Sequence, residues 1–371
     1  MEPERGAKVY VGMSGGVDSS VAASLLKDRG YDVEAVFMRN WDTRDERDEC
    51  PSERDYRDVQ SVCAQLGIKC HLVNLVKEYW NTVFAVTLDA YARGLTPNPD
   101  ILCNSEIKFG VLLDHIGRIT GDRPWWFATG HYARLLRDRS GNVQLHRGAD
   151  GSKDQSYYLA GVPATSFGRV IFPLGSLSKS EDVRRIAQEK RLVTANKEES
   201  MGICFVGERR KFDHFLAEYI PQKDGDVVSN EGHQLGTHRG IFTKTIGQTA
   251  GIPGLDTKWY VYAKDIKRNR MYAAPGRNDP LLYKRTVRAG PAHWISGTPP
   301  ADLGLFGRIT LEAQVRFMQR PQKCTVTIDQ STDNNSSGLS AEFQDPQFGV
   351  ASGQYLVLYN GDHCLGAAAI L

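Results

Sequence analysis

Alternating apolar and polar positions divide the first 130 residues into strands and helices. Residues 8–13 and 33–38 have the apolar runs of buried strands, and residues 17–29, between them, have helical periodicity that ends at Gly30. The pattern continues with a helix capped by Ser52 and ended by Gly67, a strand over 68–75, helices over 78–93 and 106–119, and a strand over 125–130. This order predicts a doubly wound parallel sheet with helices on both faces and ligands at the carboxyl ends of the strands.

The second half of the chain has a different pattern. Residues 134–136 and 143–147 predict a hairpin, and residues 180–191 a helix. From about residue 208, short apolar runs lie between Gly, Pro, Asn and Asp residues, which favours a small mixed domain and then a β-barrel. We therefore expect an α/β fold with three domains, at 1–207, 208–280 and 281–371.

Composition and charge limit the possible functions. The 371 residues are 41% hydrophobic and 24% charged, which is typical of a globular protein of two or three domains. No run approaches the roughly 20 apolar residues needed to cross a bilayer, so we expect no membrane partner. The net charge of +2 means that a surface for nucleic acid must be local. Seven cysteines without a CxxC pair argue against a disulfide framework and a zinc ribbon.

A glycine- and serine-rich loop follows the first predicted strand. Residues 14–20 read Ser-Gly-Gly-Val-Asp-Ser-Ser and lead directly into the first helix. Glycine lets the backbone approach an anion, and the amides and dipole at a helix start favour phosphate. The chain contains no Gly-Lys pair, so this is not a GxxxxGK[ST] loop. It resembles the pyrophosphatase-type loop (PP-loop) of enzymes that split ATP into AMP and pyrophosphate.

Two cysteines lie in segments of distinctive sequence. Residues 96–104 read Thr-Pro-Asn-Pro-Asp-Ile-Leu-Cys-Asn, which predicts a stiff extended loop ending at Cys103, before a helix. A helix N-terminus stabilises a thiolate, and Asp100 is a candidate proton acceptor. Alternatively, Cys103 is a small buried hydrophobe and Asp100 a helix cap. Cys204 lies in a Gly-flanked apolar run that is typical of a core strand.

Several sequence blocks together resemble the tRNA-specific 2-thiouridylase family, the MnmA type. In chain order they read SGGVDSS, FMRNWD, EYWNTVF, TPNPDILCNSEIKFG, ATGHYAR, KDQSYYL, ESMGICFVGER and GTHRGIFTKTIGQ. The resemblance extends over nearly the whole chain and implies an N-terminal domain of the adenine nucleotide alpha hydrolase type. It also implies a reaction in which ATP adenylates the wobble uridine of tRNA. A cysteine persulfide then transfers sulfur to C2, giving 2-thiouridine, AMP and pyrophosphate.

The resemblance also implies roles for individual residues. Cys103 is the implied nucleophile, and Cys204 the implied persulfide carrier, able to form a disulfide with Cys103; Asp100 completes the catalytic set. The implied nucleotide-binding residues are Gly12, Met13, Ser14, Gly15, Gly16, Val17, Asp18, Ser19, Met38 and Gly130. The implied tRNA-binding residues are Asn98, Pro99 and Asp100 at the target base, with His131, Lys153, Asp154, Gln155, Arg316, Phe317 and Gln354 elsewhere. The chain departs from the family at Thr249, where Arg is usual, and at Phe317, where Tyr is expected.

The chemistry of the residues agrees with this interpretation. A uracil carbonyl oxygen is a poor leaving group, so its replacement by sulfur requires activation, which an AMP-forming loop supplies. Mg²⁺ is expected at the ATP phosphates, although the sequence shows no dedicated metal cluster. The target base must leave the anticodon stack. Expected partners are therefore tRNA and a sulfur-donor protein such as a cysteine desulfurase relay. Candidate phosphate contacts are the basic residues at 209–211, Arg239 with Lys244, and the cluster at 264–270.

Two other functions remain open from the residues alone. One is an AMP-forming ligase or synthetase, such as the GMP, NAD or argininosuccinate synthetases; the loop at residue 14 argues against members with an upstream glutaminase domain. The other is a non-catalytic RNA-binding protein. Residues 1–7 do not resemble a complete targeting peptide, yet the charged segment 42–53 and the segment 121–126 resemble organellar members. We expect a mitochondrial location, with the cytoplasm as the alternative.

Overall fold

The computed structural model describes residues 3–42, 51–198, 212–329 and 337–371. Its strands are β1 Lys8–Met13, β2 Asp32–Arg39, β3 Lys69–Asn74, β4 Trp125–Thr129, β5 Ala133–Arg137, β6 Val143–Arg147, β7 Val170–Ile171, β8 Gly225–Val228, β9 Gln234–His238, β10 Trp259–Asp265, β11 Arg270–Pro275, β12 Tyr283–Trp294, β13 Arg308–Gln314, β14 Gln322–Asp329, β15 Gly338–Phe348, β16 Tyr355–Asn360 and β17 His363–Ile370.

The helices lie mainly in the first half of the chain. They are α1 Val17–Asp28, α2 Pro51–Leu66, α3 with consecutive segments Val76–Tyr79, Trp80–Phe84 and Ala85–Ala92, α4 with consecutive segments Pro99–Leu102, Cys103–Val111 and Leu112–Thr120, α5 Ser156–Leu159, α6 Ala164–Phe167, α7 with segments Lys179–Val183 and Arg184–Glu189, α8 Phe212–Leu216 and α9 Ala301–Phe306. The middle segments of α3 and α4 are π-helical. No helix in the described residues is long and apolar enough to cross a membrane.

The first sheet is parallel and has the predicted doubly wound form. Within the described residues its strand order is β3-β2-β1-β4-β7, and every pairing in it is parallel. The strands of this sheet are apolar along most of their length because parallel strands are covered on both faces. Val9, Val11 and Phe127 are fully buried. The order reverses at β1, so the loops after β1 and β4 border one crevice, where doubly wound sheets bind ligands.

The start of α4 differs from the sequence prediction. A helix was expected from residue 106, but the structure begins it at Pro99, immediately after Asn98. The Asn98 side chain accepts a hydrogen bond from the Ile101 amide at 3.3 Å, and Pro99 occupies the first helical position. Proline at that position favours a helix start, because its missing N–H would have no partner there. The second proline of the segment therefore begins the helix instead of extending the loop.

The rest of the chain forms a mixed sheet and a closed barrel, as predicted. Among the described residues, the mixed sheet has the order β10-β11-β8-β9. The barrel runs β12-β15-β14-β13-β16-β17 and closes through antiparallel pairing of β17 with β12. The hairpin β5–β6 adds to the barrel, with Leu145 paired to Cys364 and His146 to His363. Its attachment joins the N-terminal part of the chain to the barrel through backbone hydrogen bonds.

Candidate active site

The loop between β1 and α1 has a backbone that requires glycine. Gly15 has φ +77°, and a Cβ at this position would lie 2.8 Å from the carbonyl oxygen of Asp55 on α2. Gly16 is the N-cap of α1. The Ser19 and Ser20 hydroxyls donate to the Gly16 carbonyl at 3.1 and 2.9 Å, which fixes the turn. The amides of the first helical turn have no carbonyl partner within their own helix, so this turn is suited to bind phosphate.

The neighbouring residues of the loop contribute mainly their backbone. Gly12 is the fifth residue of β1, and a Cβ there would lie 3.1 Å from the Phe127 ring. The side chains of Met13 and Val17 are buried in hydrophobic clusters. Ser14 is exposed, and its amide donates to the Ser19 hydroxyl at 3.2 Å. These positions therefore shape a cradle in which bare backbone and hydroxyl groups face the crevice.

Gly130 closes this cradle from the next strand. It follows β4, and a Cβ there would lie 2.8 Å from both the Asp18 carbonyl carbon and the Ser19 amide nitrogen. The Asp18 carboxylate accepts hydrogen bonds from the Tyr132 hydroxyl at 2.7 Å and from the Lys179 ammonium at 2.5 Å. The Asp18 side chain is thus held toward α7. Only a residue without a side chain fits at position 130.

Met38 lies on the other side of β1. It is near the carboxyl end of β2, opposite Val73, and is half-buried against the main core. The structure therefore brings the candidate nucleotide-binding positions to the carboxyl edge of three adjacent strands. That arrangement can hold the phosphates at α1 and an adenine ring toward β2.

The catalytic candidates Asp100 and Cys103 lie in the first turns of α4. Cys103 is the fifth residue of this helix, not a residue preceding it, and its exposed fraction is 7%. The helix dipole acts mainly on the first turn, so it supports a thiolate here less than the sequence suggested. The alternative assignment of Asp100 as the helix cap is wrong, because Asn98 is the cap. Cys204 lies outside the described residues, so its position relative to Cys103 is not described.

Asp100 is half-buried and lies within the influence of a lysine. Burial raises the pKa of the Asp100 carboxyl group, and the positive charge of Lys108 opposes that rise. The Lys108 ammonium donates to Asn104 Oδ1 at 2.9 Å and lies 3.4 Å from His131 Nε2. Asn104 Nδ2 in turn donates to the carbonyls of Asp100 and Tyr158 at 2.9 and 3.2 Å.

His131 links this helix to the candidate phosphate cradle. It directly follows Gly130, and its Nδ1 lies 2.6 Å from Thr129 Oγ1. Burial and the charge of Lys108 lower the pKa of His131 well below its usual value, so the ring is neutral at pH 7. The structure therefore places His131 between the cradle and α4, where it also contacts Phe109.

The segment before Asn98 is held by both C-terminal parts of the chain. Gln354 Nε2 donates to the carbonyls of Thr96 and Pro97 at 3.0 and 3.3 Å, and the Thr96 amide donates to the Ser352 carbonyl at 2.8 Å. The Thr96 hydroxyl is hydrogen-bonded to the hydroxyl of Thr245. Gln354 thus positions the backbone leading to Asn98, Pro99 and Asp100, the candidate target-base residues.

Lys264 belongs to the same junction, although the sequence suggested a phosphate contact. Its ammonium donates to the Gly94 carbonyl at 3.0 Å, and burial lowers the pKa of Lys264 to about 8. Its side chain therefore joins β10 to the end of α3. The basic residues at 209–211 lie outside the described residues.

A cavity of about 320 Å³ opens between the mixed sheet, the barrel and this segment. The guanidinium carbons of Arg277 and Arg316 lie 5.0 and 5.5 Å from the centre of the Phe348 ring. Burial and, to a smaller extent, the charge of Arg277 lower the pKa of Arg316. Neither guanidinium has a carboxylate within ion-pair distance in the described part of the chain. Two adjacent cations without an internal anion are suited to bind a phosphate.

The remaining tRNA candidates have different surroundings. Phe317 packs on Tyr158, with ring centroids 4.0 Å apart, next to the residues around Asp100. Asp154 is buried, and its carboxylate accepts from Arg147 Nε at 2.9 Å and from the Gly148 amide at 2.9 Å. This geometry favours a structural role for Asp154. Gln155 Oε1 accepts from the Tyr132 amide at 3.2 Å, and Lys153 lies in the turn before it.

Family models match three successive parts of the chain. They are described as a tRNA methyl transferase HUP domain over residues 7–208, a tRNA methyl transferase PRC-barrel domain over 213–275, and an aminomethyltransferase beta-barrel domain over 284–370. The first model alone spans more than half of the chain. The order of the three models follows the parallel sheet, the mixed sheet and the barrel.

Curated relatives match over almost the full length. The chain is 45% identical to the tRNA-specific 2-thiouridylase MnmA of Marinobacter nauticus, covering 100% of this chain and 93% of that protein. The chain belongs to the tRNA-specific 2-thiouridylase family. Proteins of the same name from Levilactobacillus brevis and Staphylococcus carnosus are 43% and 44% identical; the matches cover 100% and 98% of this chain and 96% and 95% of those proteins.

The structure of this thiouridylase-family chain adds residues that sequence reasoning missed. Lys108 and Asn104 join the two halves of the site, and Arg277 lies against the same Phe348 ring as Arg316. The spacing of four residues from Asp100 to Asn104 and on to Lys108 was a usable signal, since it places all three near one helix face. Arg277 had no comparable signal, because Arg316 is 39 positions away (316 minus 277) and follows a strand of another sheet.

Proposed function

We propose that this protein is an ATP-dependent tRNA uridine 2-sulfurtransferase. One observation carries the proposal: a phosphate-type cradle and an Asp100–Cys103 helix are connected by direct contacts through His131 and Lys108. Membership of the tRNA-specific 2-thiouridylase family supports the assignment. An activation site beside a candidate nucleophile is the arrangement that replacement of an oxygen by sulfur requires.

In the proposed activation step, uridine O2 attacks the α-phosphorus of ATP and pyrophosphate leaves. The first-turn amides of α1 and the hydroxyls around Gly16 hold the phosphates. Asp100 accepts the proton that N3 of the uracil loses as O2 bonds to phosphorus. Asn98 and Pro99 lie beside Asp100 at the start of α4, where the displaced base would enter.

Mg²⁺ is proposed as the counter-ion of the ATP phosphates. The described residues contain no group of three or more His, Cys, Asp or Glu side chains that could hold a metal ion. Magnesium often keeps several waters and binds largely through substrate phosphates, so it does not require such a group. The phosphate-type cradle supports this proposal.

In the proposed sulfur step, Cys204 carries a persulfide supplied by a sulfur-donor protein. Its terminal sulfur attacks C2 of the adenylated uridine, and AMP leaves with the former O2. The Cys103 thiolate then attacks the Cys204 sulfur, which breaks the bond to the transferred sulfur and leaves 2-thiouridine. The product disulfide between Cys103 and Cys204 is reduced by a thiol reductant before the next cycle.

The proposal is tested with purified protein, ATP, Mg²⁺, unmodified tRNA, a persulfide donor and a thiol reductant. Mass spectrometry of digested tRNA is expected to show 2-thiouridine, with one AMP formed per modified base. Because the matched domain families are named for methyl transfer, a parallel reaction contains S-adenosylmethionine without ATP. Methylated uridine in that reaction, AMP formation with a small acceptor instead of tRNA, or tRNA binding without ATP turnover would each contradict the proposal.

We expect the cavity between the mixed sheet and the barrel to bind tRNA phosphate. Replacing Arg277 or Arg316 by Ala removes one of two adjacent cations, so tRNA binding weakens by about tenfold. The slope of log Kd against log salt concentration falls by about the amount that one phosphate contact contributes. Filter binding at several salt concentrations measures both. Arg308→Ala, an exposed position on β13, is the matched control. If both variants bind tRNA with unchanged affinity and an unchanged salt slope, the cavity is not part of the tRNA-binding surface.

The domain limits 1–207, 208–280 and 281–371 are also proposed. Each range contains one of the three sheets, apart from the hairpin β5–β6, which belongs to the first range and pairs with the barrel. For the location, the three relatives named above come from bacteria and give the mitochondrial expectation no support. We therefore favour the cytoplasmic alternative.

A further inference from the structure

The ammonium group of Lys108 lies at the junction of the two halves of the site. On one side it contacts Asn104 Oδ1, and through the charge interaction it acts on Asp100. On the other side it lies 3.4 Å from His131 Nε2, and His131 directly follows Gly130 at the cradle. Lys108 is half-buried. It is thus a cation shared between the target-base side and the nucleotide side.

The immediate partners of this cation are neutral. Within the described residues Lys108 has no carboxylate within ion-pair distance, and its hydrogen-bonding partners are an amide oxygen and an imidazole nitrogen. Partly buried charges are usually paired, because loss of hydration disfavours the charged form. A cation retained here without an adjacent anion is placed for negative charge that arrives with the substrates.

The contacts also fix the state of the histidine. An ammonium group only donates, so His131 Nε2 must accept, and the remaining proton lies on Nδ1. Nδ1 then donates to Thr129 Oγ1 at 2.6 Å. His131 is therefore neutral with a defined tautomer, and it cannot become a second cation without repelling Lys108.

We propose that Lys108 is a positioning residue that joins the two half-sites by holding His131 and by holding Asn104, whose amide is bonded to the Asp100 carbonyl. The inference rests on the proposed sulfurtransferase function. Asn104 completes the arrangement, because its amide nitrogen is tied to the carbonyls of Asp100 and Tyr158 while its oxygen receives Lys108. A displacement of the Lys108 ammonium group would therefore change the surroundings of Asp100 and His131 together.

The expected pH dependence follows from the charges that face these groups. In the described residues, Lys108 on the same helix and Tyr158 on α5 interact electrostatically with Asp100, and Lys108 acts on His131. Burial raises the pKa of Asp100 and Lys108 lowers it, so removal of Lys108 raises the pKa further. As the pH falls, activity that needs the Asp100 carboxylate is then lost at a higher pH than in the wild type. The pKa of His131 rises in the same variant, because one positive charge no longer opposes its protonation.

The experiment compares Lys108→Met with Lys108→Arg in the full-length protein. We expect the Met variant to lower kcat for 2-thiouridine formation by at least about 30-fold and to leave KM for tRNA within about threefold of wild type. We also expect the acid limb of its pH profile of kcat to move to higher pH. The Arg variant keeps the charge and is expected to restore the position of the acid limb. Lys77→Met, an exposed lysine on α3, is the control.

A second measurement does not depend on activity. The His131 ring titration, followed by NMR, is expected to occur well below pH 6.5 in the wild type and at higher pH in Lys108→Met. An unchanged His131 titration in Lys108→Met would overturn the inference. The inference would also be overturned if Lys108→Met and Lys108→Arg lost the same fraction of kcat and neither moved the acid limb of the pH profile of kcat. If the wild-type protein forms no 2-thiouridine while the His131 shift is observed, the proposed function fails and the electrostatic link stands.

Discussion

Replacing Cys103 by Ser is expected to abolish 2-thiouridine formation, with a rate at least about 1,000-fold below wild type. In the proposed reaction this thiolate cleaves the bond between Cys204 and the transferred sulfur, and a serine hydroxyl cannot form the resulting disulfide. Cys103 lies on the interior side of α4, one turn from Asp100, so the substitution leaves the ATP cradle unchanged. Adenylation of tRNA is therefore expected to continue.

The measurement combines nucleoside mass spectrometry with ATP–pyrophosphate exchange in the presence of tRNA. Cys70→Ser is the matched control, because Cys70 is half-buried on β3 and packs in a different hydrophobic cluster. Cys204→Ser should likewise form no 2-thiouridine and should bind ATP and tRNA normally. Thiolation by the Cys103→Ser protein at the control's rate would exclude Cys103 as the nucleophile, even if the protein proves to be a sulfurtransferase.

Replacing Gly130 by Ala is expected to weaken ATP binding by at least about 100-fold. The added Cβ would lie 2.8 Å from the Asp18 carbonyl carbon and from the Ser19 amide nitrogen. Both atoms belong to the backbone of the first turn of α1, so neither can rotate away as a flexible side chain would. The first turn must shift, and the amides proposed to hold the phosphates lose their positions.

Isothermal titration with ATP measures this effect directly. Gly151→Ala is the matched control, because a Cβ at Gly151 has no neighbouring atom within 4 Å and Gly151 has no positive φ. Thermal unfolding of both variants separates a local shift from loss of the fold. If folded Gly130→Ala protein binds ATP with wild-type affinity, the crevice between β1 and β4 is not the nucleotide site.

Local patterns were sufficient for strands β1 to β4 of the N-terminal sheet, but they did not predict its fifth strand, β7, which has only two residues. Strand β1 occupies the predicted residues 8–13, and α1 ends one residue before the prediction, at Asp28. The prediction succeeded because parallel strands are buried on both faces and carry long apolar runs. It failed at the start of α4, where Pro99 permits either an extended loop or a first helical turn, and the Asn98 cap decides between them.

In the candidate site, too, local patterns predicted some features and missed others. The loop residues that form most of the cradle are consecutive in sequence, so the Ser14–Ser20 motif alone indicated phosphate binding. Gln354, in contrast, was expected to contact tRNA, and the structure shows it bound to the carbonyls of Thr96 and Pro97. That contact joins positions 258 residues apart in the chain, and no local pattern predicts such a pairing.

The sequence by itself determined the order of the sheets, the phosphate-type loop, the candidate nucleophiles and the family, because each depends on neighbouring residues or on similarity along the chain. Only the tertiary structure decided which groups meet at the crevice. Lys108 gained its role because α4 packs beside β4 and brings its ammonium group to His131, 23 positions away. Hydrogen bonds and charge interactions depend on distance in space, and packing sets those distances between segments that the sequence pattern treats separately.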